Sequence, residues 1–247
     1  MVLTAPDGTA LHATATPQRG VISNARSRYR WSGEAAAIPC RIVGSVAEAS
    51  VTPTLTDGIV VLREFVSSDA SALTAIWSDP AIRARNSVPQ PTPDAAWAWV
   101  QEARRRNAAG EAWDWAIIDA ESGLLAGRRA LKDICWEKRR AVATTWVAPS
   151  FRGRRFAGRS LRLAAAHAFQ CGLVRVHAEV ETDNHASIRS VLAAGMRHEG
   201  TLRAWYVTQD GEPLDLHVFG LLPGDLRPQQ PARTCVTRPD GQAVAHD

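Results

Sequence analysis

The sequence predicts one α/β domain over about Val51–Asp225, with the rest of the 247 residues as extensions. Two observations predict it. Short β-rich or alternating runs are separated by segments whose apolar residues recur at helical spacing. The junctions between them carry cap and turn chemistry, and no internal repeat is seen.

Gly58-Ile-Val-Val-Leu-Arg-Glu-Phe65 is β-rich and predicts the first strand. Ser68 and Asp69 offer N-cap chemistry for a helix through Trp77, which Asp79-Pro80 is expected to stop. Asn86–Pro91 reads as loop. Thr92-Pro93-Asp94 opens a second helix with an N-cap, a proline and an acid in sequence; Trp97, Val100 and Ala103 or Arg104 continue its expected inner stripe towards Gly110. Trp113–Asp119 alternates as a strand does, and Glu121-Ser-Gly123 predicts a hairpin returning along Leu124–Ile134. Arg139–Val147 is the next strand. Leu161, Ala164, Ala165 and Ala168 then mark a helix that runs to about Gln170, with Gly172 as its C-cap. Leu173–Val180 is a strand, and Asp183-Asn184 caps a short helix over Ala186–Ala194, closed by Gly195. Met196–Val207 and Glu212–Leu221 complete the strands, joined by a turn at Gln209-Asp-Gly211.

Residues 1–50 are rich in Ala, Thr, Ser, Gly and Arg without sustained period, and read as disordered or loosely attached. The alternative is a non-native extension, because Val51-Thr-Pro-Thr has the look of a natural start and valine can be encoded by an alternative start codon. Residues 226–247 return to proline, glutamine and charge, and read as a disordered tail.

Composition narrows the function classes. Apolar residues are 45% and charged residues 22%, ordinary values for a globular protein. The net charge is +4, but Val51–Asp225 holds 21 Lys+Arg against 20 Asp+Glu, so the domain is nearly neutral. That weighs against a nucleic-acid-binding reading, which needs an extended basic face. The four cysteines (Cys40, Cys135, Cys171, Cys235) are scattered and suggest neither a disulfide framework nor a zinc site, so no metal is expected. No apolar run approaches the roughly 20 residues of a membrane span, and no signal peptide is apparent, so a cytoplasmic protein without membrane partner is expected.

One stretch concentrates chemistry. After Trp146-Val147-Ala148, the segment Pro149-Ser-Phe-Arg152-Gly153-Arg154-Arg155-Phe156-Ala157-Gly158 leads from a strand into a helix. The first amides of a helix lack intrahelical partners and sit at its positive end, so a Gly/Arg loop there suits phosphate. A solvated basic cap explains the same residues without a ligand.

The residues that follow favour the first reading. Asn184-x-x-Ser187 and Gly195-Met196-Arg197-x-Glu199-Gly200 come next, with Leu221-Leu-Pro-Gly224 at the end. In this order they resemble the GCN5-related N-acetyltransferase (GNAT) superfamily, and within it the RimJ/RimL-like branch that acetylates protein N-termini. The resemblance covers nearly all of Val51–Gly224. It implies a mixed, mostly antiparallel sheet flanked by helices, with the central strands Ala141–Val147 and Val174–Val180 splayed to admit pantetheine. It implies acetyl-CoA as co-substrate, with its pyrophosphate on the amides of Arg152, Gly153, Arg154, Arg155, Phe156, Ala157 and Gly158. A backbone amide among Trp146, Val147 and Ala148 would polarise the thioester. Two residues depart from the family pattern: Arg155 stands where glycine is usual, and Met196 where phenylalanine is commoner.

Catalytic candidates rest on the same resemblance. Ser187 matches a position able to donate a proton to the leaving thiolate, or it is simply a first-turn serine. Asn184 caps its helix and is expected to contact the cofactor as well. Glu179, Glu181 and Tyr206 are candidate bases, directly or through water, each with a plain surface role as its alternative. His177 is read as structural or exposed. Trp97, Trp99, Trp113, Trp115 and Trp146 line an acceptor pocket or pack in the core; exposed tryptophans would hint at a homodimer. The expected function is an N-acetyltransferase acting on a primary amine, with a protein N-terminal amine among the acceptors considered, by direct attack in a ternary complex. A non-catalytic acyl-CoA-binding or regulatory module is the alternative, raised by Arg155 and by the absence of an obvious base. For the N-terminal question, an intact mass from the native cell that begins at residue 51 is the outcome expected of an alternative start; a mass that includes Met1 excludes it.

Overall fold

The computed structural model describes residues 52–208 and 211–226. The readings for residues 1–50, for residues 227–247 and for Gln209-Asp210 of the last turn lie outside them. In chain order the elements are β1 (Leu55–Thr56), β2 (Val60–Arg63), α1 (Asp69–Trp77), α2 (Pro80–Arg85), α3 (Pro93–Ala108), β3 (Trp113–Asp119), β4 (Leu125–Cys135) and β5 (Arg140–Val147). A 3-10 turn (Pro149–Phe151) leads into α4 (Phe156–Gln170), followed by β6 (Arg175–Glu181), α5 (His185–Ala193), β7 (Arg197–Val207), β8 (Pro213–Leu221) and a last 3-10 turn (Pro223–Leu226). No helix among the described residues is long and apolar enough to cross a membrane.

The eight strands form one sheet in the order β1-β2-β3-β4-β5-β6-β8-β7. Each neighbouring pair is antiparallel except β5 and β6, which run parallel. A parallel pair needs a crossover, and α4 supplies it.

Two apolar layers hold this arrangement. Under α4, the side chains of Phe156, Leu161, Ala164, Ala165 and Ala168 meet Trp113, Trp115, Ile117, Leu131 and Val176 from the sheet. Burying Phe156 and Leu161 contributes roughly 2 kcal/mol each, and both lie in the first two turns, so the start of α4 is fixed on the sheet. On the opposite face, α1, α2 and α3 contribute Leu73, Trp77, Ile82, Ala96, Val100 and Ala103, against Ala116, Ile118, Leu125 and Trp146.

Two expectations need correction here, and one strand was not foreseen. Asp79-Pro80 does end the first helix, but it also begins α2: Asp79 accepts the Ile82 N–H at 3.0 Å, and Pro80 occupies the first turn, where a missing N–H removes no helix bond. The inner stripe of α3 is Ala96, Val100, Ala103 and Asn107, one residue out of phase with the expected start, which leaves Trp97 54% exposed. Small alanines carry the contact, so the larger tryptophan was a misleading guide. β1 is a two-residue strand paired at Leu55↔Leu62 and Thr56↔Val61, too short to leave a sequence period.

At the other end of the sheet, Glu199 of β7 reaches across β8 to Arg175 of β6. Arg175 Nη1 donates to Glu199 Oε1 at 2.7 Å, and its second nitrogen bonds the other carboxylate oxygen. The pair lies over Gly220 of β8, where a Cβ would collide with Glu199 Oε1 and come within 2.8 Å of Arg175 Nη1. Glu199 thus clamps three strands, and Gly220 gives the clamp room. The Arg175 guanidinium holds the Glu199 carboxyl below its ordinary value. A carboxylate lowered in the folded state contributes stability that is complete above its unfolded pKa of about 4.3 and is lost as pH falls through the lowered value. Glu199→Gln should therefore unfold more easily than the parent at pH 7, by about 1 kcal/mol at most for a pair this exposed. The gap between the two should close below about pH 4.3. A gap in urea stability that persists unchanged at pH 3 would contradict the ion-pair origin.

Candidate active site

β5 and β6 are paired only at Arg140↔Arg175, Ala141↔Val176 and Val142↔His177. Both strands continue past that point. β5 stays paired with β4 as far as Gly127↔Val147, while β6 stays paired with β8 as far as Glu181↔Leu216. The sheet therefore opens as a V between Ala143–Val147 and Ala178–Glu181, as expected of the splayed central strands.

The backbone groups facing the opening follow from ladder alternation. Ala148 N–H donates to Ala126 O at 2.8 Å. In an antiparallel ladder alternate residues point at the same neighbour, so Trp146 and Thr144 also bond towards β4. Odd-numbered residues of β5 face β6: in the parallel ladder the Val142↔His177 pairing takes up the Ala143 amide on His177 O, and the amides of Thr145 and Val147 then face the gap. Among the three residues expected to supply a polarising amide, Trp146 and Ala148 direct theirs into β4, and only Val147 presents one to the opening. The indole of Trp146 lies in the core, as do those of Trp113 and Trp115, so these three line no acceptor pocket.

At the mouth of the V stands the start of α4. Its first intrahelical bond runs from Arg159 N–H to Arg155 O, leaving the amides of Phe156, Ala157 and Gly158 without intrahelical acceptors. Arg155 is the N-cap residue, in the left-handed conformation at φ 63°, ψ 15°, and makes no side-chain cap bond. The position is thus one that favours glycine, and an arginine there carries backbone strain. Gly158 has a different reason: a Cβ would stand 3.4 Å from Ser190 O of α5, at the contact between the two helices.

The loop arginines are largely engaged. Arg152 faces Asp79 at 3.8 Å, Arg154 faces Asp119 at 3.3 Å, and Arg159 faces Asp57 at 2.7 Å. Arg154 also lies over the rings of Phe151 and Phe156 at 5.3 and 5.0 Å. Arg162 donates to Ala194 O at 3.0 Å and so ties α4 to the end of α5. The exposed Arg155 side chain has no hydrogen bond or ion pair among the described residues.

α5 begins beside the end of β6. Asn184 Oδ1 accepts the Ser187 N–H at 3.2 Å, so Asn184 acts as the N-cap and the Ser187 amide is engaged. Ser187 itself is half-buried. Of the candidate bases, Glu179 is exposed on β6. Tyr206 instead donates its hydroxyl to Glu181 Oε1, so the structure joins Tyr206 to the second glutamate. Arg85, at the end of α2, donates to Glu181 Oε2 at 2.5 Å and bonds both oxygens of Asp183 at 2.9 and 3.0 Å. Its hydrogen bonds hold the Asp183 carboxyl below the usual range. His177, at the apex of the V, is buried, with Nδ1 unbonded; burial, then the Arg175 and Arg140 cations, push its imidazole below its ordinary value.

Two participants were missed from the sequence. Arg85 lies in a helix that was not expected, 96 residues from its partner Glu181. Arg129, within the strand Leu124–Ile134, is 3% exposed beneath the first turn of α4; a charge inside an apolar strand was the available signal. Among the described residues no three His, Cys, Asp or Glu side chains gather as a metal ligand set.

The fold is shared with known proteins. Residues 60–197 match the family model described as Acetyltransferase (GNAT) domain. The chain is 27% identical over 172 residues to the uncharacterized N-acetyltransferase YoaA of Bacillus subtilis, an alignment covering 69% of this chain and 97% of that protein. Among solved structures it superposes on Mycobacterium smegmatis RimJ in complex with CoA-disulfide with a TM-score of 0.64 at 21% identity, covering 72% and 91% of the two chains. A putative ribosomal-protein-serine acetyltransferase from Vibrio cholerae gives a TM-score of 0.61 at 17% identity, covering 69% and 98%. The chain belongs to the GNAT acetyltransferase family.

The strain at Arg155 has a measurable consequence. Arg155→Gly should raise the melting temperature by about 2 °C, since relief of about 1 kcal/mol at a left-handed residue is partly offset by the flexibility of unfolded glycine. A fall in melting temperature on calorimetry would show that the side chain, rather than the backbone, dominates at this position.

Proposed function

We propose that this chain transfers the acetyl group of acetyl-CoA to a primary amine, with a protein N-terminal amine as the acceptor class. The observation that carries the reading is the V between β5 and β6, with the free amides of α4 at its mouth. A pantetheine chain offers amides able to pair with the open backbone groups of β5, at the Ala143 carbonyl and at Thr145 and Val147. Its pyrophosphate would then meet the amides of Phe156, Ala157 and Gly158 and the turn Arg152–Arg155, where helix polarity favours an anion.

Chemistry follows from that pose. The Val147 amide is positioned to donate to the thioester oxygen as it gains charge. The amine nitrogen, deprotonated, attacks the carbonyl carbon; the C–S bond breaks and the amide bond forms. The proton leaving the amine passes to a carboxylate, and the Tyr206–Glu181 pair is the better connected candidate, with Glu179 reachable through water. The Ser187 hydroxyl, on a residue whose backbone N–H is bonded by the Asn184 cap, would return a proton to the thiolate. The acceptor class is supported by the ribosomal-protein acetyltransferase among the structural neighbours.

Calorimetric titration of the full chain with acetyl-CoA, followed by thiol release across a panel of peptides and amines, tests this reading. Saturable binding with turnover on peptides bearing a free α-amine is expected. Ser187→Ala should lower kcat by about 100-fold while leaving acetyl-CoA affinity within a few fold. Absence of acetyl-CoA binding overturns the proposal, and binding without thiol release across the panel points to a non-catalytic acyl-CoA-binding module.

A further inference from the structure

Arg128 and Arg129 are adjacent on β4 and point to opposite faces of the sheet. Arg128 has a conventional partner: its Nε donates at 2.6 Å to Asp114, a fully buried carboxylate that Arg106 also bonds at 2.9 Å. Arg129 lies between the sheet and α4, and its acceptors are all neutral. It donates from Nη2 to Ala157 O at 2.7 Å and to Ser160 Oγ at 3.2 Å, from Nε to Ser160 Oγ at 3.3 Å, and from Nη1 to Thr144 O at 3.3 Å. No carboxylate among the described residues pairs with it.

A buried cation with no counter-charge is a costly feature. Burial, with Arg128 adding repulsion, pushes the Arg129 guanidinium down to about 9, so it is still charged at neutral pH. The cost is not explained by what Arg129 holds in place. Each acceptor has another partner: Ser160 Oγ donates to Ala157 O at 3.0 Å, and Thr144 sits in the β4–β5 ladder opposite Ala130. Ala157 O is also within α4, where the helix ladder uses it. Removing the guanidinium would strand none of them.

What its position does explain is the charge at the site. Ala157 and Ser160 belong to the first turns of α4, so the guanidinium lies roughly one helical turn, ~5 Å along the axis, behind the free amides of Phe156, Ala157 and Gly158. Three of the surface arginines there already face carboxylates, whereas Arg129 does not. We propose that Arg129 is a positioning residue for the diphosphate of the acyl donor: it supplies a fixed, water-excluded positive charge beneath the anion site, and its missing counter-ion is the bound diphosphate. The ligand and the arginine stabilise one another, so the residue strains the empty protein and favours the loaded one. This inference rests on the acyl-CoA reading of the site.

Arg129→Met and Arg129→Lys in the full chain test it, by thermal unfolding without ligand and by calorimetric titration with CoA. Arg129→Met should be as stable as the parent or more stable when empty, yet bind CoA at least tenfold more weakly, about 1.4 kcal/mol. Arg129→Lys, which keeps the charge, should stay within about threefold of the parent. An empty Arg129→Met chain that is unfolded or clearly less stable overturns the proposal, because the arginine is then a structural strut. Equal affinity in Arg129→Met and the parent also overturns it, as does equal loss in both variants. A parent chain that does not bind CoA fails the acyl-CoA reading itself, a result seen before any variant is compared, and the inference falls with it.

Discussion

Beyond the Ala143 amide the backbone of β5 has a neighbour on one side only. A backbone amide or carbonyl withdrawn from water needs a hydrogen-bonding partner, so a sheet that opens in its interior must leave these groups to solvent or to something that fits between the strands. The antiparallel pairs on either side, β4–β5 and β6–β8, run unbroken alongside the gap, which makes the opening a stable feature of the sheet. It lies where β5 and β6 both end, and the two helices that follow these strands place their N-termini at its rim.

Charge is arranged around that opening with economy. The arginines of the loop are mostly tied to Asp57, Asp79 and Asp119, which fixes the loop to the surrounding chain and mutes its field. Ser122 first, and Arg154 after it, hold the Asp119 carboxyl below its ordinary value, so that partner remains ionised at neutral pH. On the other side of the V, Arg85 neutralises Glu181 and Asp183 and brings α2 against the end of β6. The Glu181 carboxylate beside the opening therefore has its environment set by an arginine and a tyrosine.

The sequence made much of this legible, and unevenly. Strands of seven or more residues with β-branched or alternating pattern, such as Trp113–Asp119, were evident from local periodicity, as was α4 from its alanine stripe. The Gly/Arg loop and the Asn184 cap were visible because their chemistry is local: a helix start needs particular residues within three or four positions. What was hidden depends on distance in the chain. Arg85 meets Glu181 only because α2 folds over the sheet, and α2 itself was masked by a proline that ends one helix and opens the next. Trp97 was placed inward by its spacing from Val100 and Ala103 or Arg104, whereas α3 buries Ala96 at the start of that stripe. That only Val147 among Trp146, Val147 and Ala148 turns its amide to the opening needed the ladder phase, which a strand's own sequence does not record.

The central claim is that the unpaired edge of β5 and the first amides of α4 form one acyl-CoA site. Amide hydrogen exchange followed by NMR, with and without CoA, tests it most directly. The amides of Thr145 and Val147, together with those of Phe156, Ala157 and Gly158, should exchange fast in the empty protein and become protected together when CoA is added. Protection confined to other segments, or no change at these five amides with CoA bound, would contradict it.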